Sequence, residues 1–133
     1  MSGGGLGFAL RRLHHVQLAI PRGGEERARP FYVGALGLTE ILKPPVLAAR
    51  GGAWFVHGDL QVHLGVEDPF VPARKAHPAL EVDGIDALAA RLTAAGFPIR
   101  SDDDLPGHRH VYADDPFGNR LEFVEPVIAP PPV

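Results

Sequence analysis

The chain has 133 residues with a formal net charge of −3, 22% charged and 45% hydrophobic residues. That is one domain's worth of chain with enough apolar content for a core, and the balanced charge excludes the clustered basic excess that nucleic-acid binding needs. Cysteine is absent, which excludes disulfides, thiolate nucleophiles, Cys-type zinc sites and iron–sulfur clusters and leaves 7 histidines as candidate ligands.

No apolar run approaches the ~18 residues of a membrane span. The N-terminal MSGGGLGFALRR places its arginines after its apolar residues, the reverse of a signal peptide, so a cytoplasmic protein is expected. The Gly-rich stretch 1–7 and the Pro-rich stretch 128–133 read as flexible tails around a single domain over 8–127.

In chain order, Leu13–Ile20 reads as a strand and is followed by a helical segment ending in Phe31-Tyr32-Val33-Gly34-Ala35-Leu36-Gly37-Leu38. Phe31 and Tyr32 pack that helix onto a sheet, while Pro30 delays or kinks it. Thr39–Leu42, Ala53–His57 and Leu60–Val66 read as strands, the last two joined by a tight turn at Gly58-Asp59. The order then repeats. Ala76–Val82 is a strand, and a helix opening at Asp83 or Gly84 carries Ile85, Leu88, Leu92 and Ala95 on one face before Gly96 and Pro98 end it. Short strands follow near Ile99, over Arg109–Ala113 and over Arg120–Glu125. The chain therefore reads as two strand–helix–strand–strand–strand modules, 12–67 and 75–126. Each is too small to bury much surface alone. The predicted fold is α+β, two βαβββ modules forming a curved mixed sheet cup with helices outside.

Superimposing the modules brings out the candidate site. His15 aligns with His77 at an offset of 62 residues, and His63 with Glu122 at an offset of 59. Strand alternation puts Val16, Leu18 and Ile20 on one face and His15, Gln17 and Ala19 on the other. The same reading places His63, the His77–Ala79–Glu81 set and Glu122 on the less apolar faces. The Gly58-Asp59 turn sets Trp54 opposite His63, where it would form a substrate wall. A loop through 114–119 pairing Ala113 with Arg120 sets Val111 opposite Glu122 and brings Arg109 onto that face as an anion clamp. Gln17 is a further substrate contact, Glu122 a candidate base and Glu81 its reserve. His14 shares the apolar face of Val16, and His57, His108 and His110 flank turns or an edge, so these four are read as structural. Asp102-Asp103-Asp104 reads as a solvated loop and Asp115-Pro116-Phe117-Gly118 as a turn.

His15-Val16, the segment from Phe31 to Leu38, and Asp115-Pro116-Phe117-Gly118-Asn119-Arg120-Leu121-Glu122-Phe123 closely resemble the vicinal oxygen chelate superfamily, the glyoxalase, bleomycin-resistance and extradiol-dioxygenase group. The resemblance spans roughly residues 12 to 126. It implies a cup around one divalent metal ion and a homodimer with sites built from both subunits. Its glyoxalase members place ligands at the positions of His15, His63, His77 and Glu122, although they usually carry Glu where His63 stands. Its dioxygenases and fosfomycin thiol transferases use three ligands, matching His15, His77 and Glu122. Such an imidazole–carboxylate set accepts Ni, Co, Zn, Mn or Fe. The expected function is a metal-dependent lyase or isomerase acting on a small molecule through adjacent oxygens. The alternatives are an Fe(II) ring-cleaving dioxygenase and a metal-free drug-sequestering protein; no nucleic acid or membrane partner is expected.

Overall fold

The computed structural model describes residues 5–102 and 105–127. Residues 1–4 and 128–133 of the expected tails, and Asp103 and Asp104 of the expected acidic loop, lie outside that range. The first module runs β1 (Val16–Ile20), α1 (Glu25–Arg29), a π-helical turn (Pro30–Ala35), β2 (Thr39–Ile41), α2 (Pro45–Ala48), β3 (Ala53–His57) and β4 (Leu60–Val66). The second runs β5 (Ala79–Glu81), α3 (Ile85–Ala94), β6 (Ile99–Arg100), β7 (His108–Asp114) and β8 (Arg120–Pro126).

Pro30 neither delays nor breaks the first helix. It caps α1 in helical geometry, and the chain continues in a wider register, with the Leu36 N–H donating to the Phe31 carbonyl at 2.9 Å. A proline has no N–H to give and crowds the preceding turn; a π register is one way of absorbing that locally. The turn buries Phe31, Tyr32 and Ala35. Helix α3 begins at Gly84, whose φ of 89° suits glycine. The Glu125 carboxylate accepts the Gly84 and Ile85 N–H groups at 2.6 and 3.3 Å, satisfying donors that a helix start leaves without partners.

Both modules form a four-stranded sheet with the same order, β1-β4-β3-β2 and β5-β8-β7-β6. In each, the first strand runs parallel to the fourth and the remaining pairs are antiparallel. Leu18, Ile20, Val62 and Leu64 from one sheet share a single buried cluster with Ala113, Leu121 and Phe123 from the other. Ala28, Phe31, Tyr32 and Leu92 from the helical segments complete it. Because strand residues alternate in direction, the polar faces of both sheets turn away from this common core. Among the described residues no helix is long and apolar enough to cross a membrane.

The modules are fastened at the turn between β7 and β8. Asp115 is buried and accepts from the Tyr32 hydroxyl at 2.7 Å, the Phe117 and Asn119 N–H groups at 2.9 Å each, and the Asn119 amide at 3.0 Å. Asn119, fully buried, also donates to the Ala19 carbonyl at 2.8 Å and accepts the Ala73 N–H at 2.9 Å. One carboxylate and one amide thus connect the first helical segment, the end of β1, the linker and the last hairpin.

Tyr32→Phe removes one donor to a charged acceptor and should lower unfolding free energy by about 1.5–3 kcal/mol. Asp115→Ala leaves several buried donors without an acceptor and should cost more, about 3 kcal/mol or above; urea unfolding of both variants checks the order. Burial, then the Asp115 charge and hydrogen bond, push the Tyr32 hydroxyl well above its ordinary value. This contribution is complete below the unfolded tyrosine value near 10 and disappears as pH rises through the raised one. In an alkaline absorbance titration of the 2 tyrosines, Tyr32 should ionise only together with unfolding.

Candidate metal centre

The first hairpin forms in the expected register, with His57 opposite Leu60 and Trp54 opposite His63. On the adjoining parallel strand, Gln17 lies beside His63. Trp54, His63 and His15 form a continuous stack, with ring centroids 4.3 Å apart between Trp54 and His63 and 4.1 Å apart between His63 and His15. His15 itself is exposed, and its Nδ1 lies 3.0 Å from Nδ1 of His14. The inner ring, His63, is only 6% exposed, and its Nε2 is buried with no hydrogen-bond partner among the described residues. Burial lowers the His63 pKa, aided by the charges of His15, His14 and Lys43. The ring is therefore held neutral, with a lone pair available as a ligand.

The second module repeats this placement. Ala79 pairs with Glu122 as Gln17 pairs with His63, so His77 and His15 each stand one pleat ahead of an equivalent position. His77 Nε2 lies 2.8 Å from Glu122 Oε1, and His77 Nδ1 lies 2.9 Å from the Lys75 carbonyl. A carbonyl only accepts, so Nδ1 carries a proton. The Nε2–carboxylate contact then needs either a second proton on the ring or a cation between the two groups. A backbone carbonyl behind an imidazole is also the support that metal-ligating histidines receive.

The second hairpin departs from expectation. Asp114, not Ala113, pairs with Arg120, which sets Tyr112 opposite Glu122 and Val111 opposite Phe123. The Asp115 side chain gathers the loop N–H groups and adds one residue to β7, and a one-residue shift exchanges its two faces. Arg109 is consequently carried to the helix side, where it forms a bidentate pair with Asp86 of α3 at 2.7 and 3.2 Å. It is not on the face of Glu122, where an expected anion clamp would have to stand.

The same shift brings in a residue that the sequence reading assigned to structure alone. His110 is buried, with Nδ1 2.8 Å from Glu122 Oε2 and Nε2 2.9 Å from Asp102 Oδ1. Both Glu122 oxygens are thus occupied by imidazoles. Burial pushes the Glu122 carboxyl up, but the hydrogen bonds to His110 and His77 outweigh it and hold the group below the ordinary glutamate value. Tracing alternation back from Asp114 would have placed His110, Tyr112 and Glu122 on one face.

His15 and His77 both line a cleft of about 490 Å³ between the β1 and β5 edges. Glu81, exposed on β5, lines it as well. The four expected ligands stand as two pairs, His15 with His63 and His77 with Glu122. Among the described residues no group of three or more His, Asp or Glu side chains is arranged to hold one ion. The donor types and the unpartnered His63 nitrogen nevertheless fit a divalent metal.

A family model described as Glyoxalase/Bleomycin resistance protein/Dioxygenase superfamily matches residues 12–123. No protein of curated function matches. Among solved structures, a glyoxalase family protein from Bacillus anthracis is 44% identical, with a TM-score of 0.86 over 90% of this chain and 98% of its own. TnmS3, an antibiotic binding protein from Streptomyces sp. CB03234, is 24% identical, with a TM-score of 0.69 over 90% and 98% of the two chains. The fosfomycin resistance protein FosX from Listeria monocytogenes is 15% identical, with a TM-score of 0.67 over 92% and 97%; these two likenesses are of fold alone. The chain belongs to the glyoxalase, bleomycin-resistance and dioxygenase superfamily.

Proposed function

We propose that this protein is a divalent-metal-dependent lyase or isomerase acting on a small substrate with adjacent oxygens. We further propose that its site is completed in a homodimer, His15 and His63 coming from one subunit and His77 and Glu122 from the other. The observation that carries the reading is the complementary state of the two pairs. One offers a buried neutral imidazole with an unused nitrogen, and the other offers an imidazole and a carboxylate whose close contact calls for positive charge. A divalent ion there would supply Lewis acidity toward the substrate oxygens.

The chain's own residues do the remaining work. Glu122, kept ionised by two imidazoles, suits the role of ligand better than that of base. Glu81, on the wall of the cleft shared by His15 and His77, takes the substrate proton. His110 fixes the carboxylate's orientation from behind, and Trp54 and Gln17 bound the substrate on the first module's face.

Elemental analysis should find about one metal ion per subunit in the parent and a large loss in His15→Ala and Glu122→Ala. Mixing these two variants under subunit exchange should restore about a quarter of the sites, the statistical expectation when ligands come from both copies of a dimer. Loss without recovery would place the whole site in one chain. A parent that takes up none of Ni, Co, Zn, Mn or Fe would overturn the enzyme reading in favour of ligand sequestration. Oxygen uptake with a catechol by Fe(II)-loaded protein would replace the lyase or isomerase assignment with ring cleavage. His110→Leu should weaken metal affinity by about 10–100-fold, the usual effect of losing a ligand's support, with His108→Leu close to the parent.

A further inference from the structure

A smaller cleft of about 200 Å³ adjoins the stacked rings on the first module's outer face, where Gln17, Lys43, Arg50 and Trp54 meet. It is built by the segment between β2 and β3, which carries the short helix α2. Lys43 is half-buried, and its ammonium donates to the Gly51 carbonyl. Arg50 precedes that glycine and is exposed.

Three arginines elsewhere on the surface are neutralised by ion pairs. Arg29, Arg100 and Arg109 each face a carboxylate, Glu40, Asp114 and Asp86, at 2.7–2.9 Å. Lys43 and Arg50 form no ion pair among the described residues. The neighbouring carboxylate, Glu25, commits Oε2 to the Gly52 N–H at 2.7 Å.

The third donor is placed by an absence of side chain. A Cβ on Gly65 would come within 2.6 Å of the Gln17 Nε2, so only glycine lets that amide lie across β4. The Gln17 amide makes no hydrogen bond among the described residues, although it lines the cleft together with Trp54 and Lys43. Ammonium, guanidinium and amide all donate, and an oxyanion is the partner that can take several such donors at once.

We propose that this cleft is an anion subsite, in which Lys43, Arg50 and Gln17 bind the carboxylate or phosphoryl end of a small organic acid against the Trp54 ring. The inference rests on the metal-site reading only for the claim that this acid is the substrate; the subsite itself needs no metal. Lys43 and Arg50 then determine specificity, selecting acidic over neutral molecules with adjacent oxygens.

Trp54 is the chain's single tryptophan and reports directly on the cleft. The full-length, chelator-treated protein is titrated with sodium methylphosphonate and with sodium acetate at constant ionic strength, with glycerol as the neutral control. A saturable change in Trp54 emission is expected with at least one anion and none with glycerol; the stronger anion tells phosphoryl from carboxylate preference. Lys43→Met and Arg50→Met should each weaken binding about tenfold, in keeping with loss of one charge-assisted contact. Arg74→Met, outside the cleft, should bind as the parent does, and thermal melts of all three confirm folding. No saturable change with either anion, or parental affinity in both cleft variants, would overturn the proposal. Failure of the metal reading appears separately, as absent metal uptake, and leaves these titrations standing.

Discussion

The fold depends on a buried carboxylate that is fully supplied with donors. Asp115 collects bonds from Tyr32, Phe117 and Asn119, and Asn119 extends the set to Ala19 and Ala73. A buried charge is costly unless its hydrogen-bonding capacity is used, so this arrangement holds only when both modules, the linker and the last hairpin are correctly placed together. It therefore acts as a check on assembly as well as a contact. The apolar cluster supplies bulk stabilisation, while the Asp115–Asn119 set specifies which turn meets which helix.

Much of the fold follows from alternation and turn chemistry. The two-residue Gly58-Asp59 turn admits one register, and the stack of Trp54 on His63 follows from it. The internal repeat is equally readable, because the parallel pairing of Gln17 with His63 recurs as Ala79 with Glu122. The β7–β8 hairpin was less legible. Its loop is organised by a side chain rather than by glycine and proline alone, and the extra residue that Asp115 adds to β7 reverses the assignment of Arg109 and His110. Nothing in the local pattern shows that Pro30 would be absorbed by a π register, since this depends on Phe31, Tyr32 and Ala35 finding places in a core drawn from both modules.

The candidate site shows what duplication does to chemistry. Equivalent positions carry His63 in one sheet and Glu122 in the other, and their surroundings favour a neutral ring at the first and an ionised carboxylate at the second. Aromatic rings close over His63 and keep it neutral, whereas two imidazoles keep Glu122 ionised. The two faces are alike in geometry and complementary in electrostatics. The sequence alignment of the modules indicates the first property; the second emerges only from the packing.

The segment from Asp115 to Glu125 holds the Asp115–Asn119 set, Glu122 and the carboxylate that caps α3. The wall carrying Lys43 and Arg50, by contrast, hangs between β2 and β3 on a few bonds at Gly51 and Gly52. The architecture and one candidate ligand thus share one stretch of chain, and the β2–β3 segment contributes to neither. A lineage built on this plan can change what it accepts by rewriting the β2–β3 segment, with the frame and the chemistry left in place.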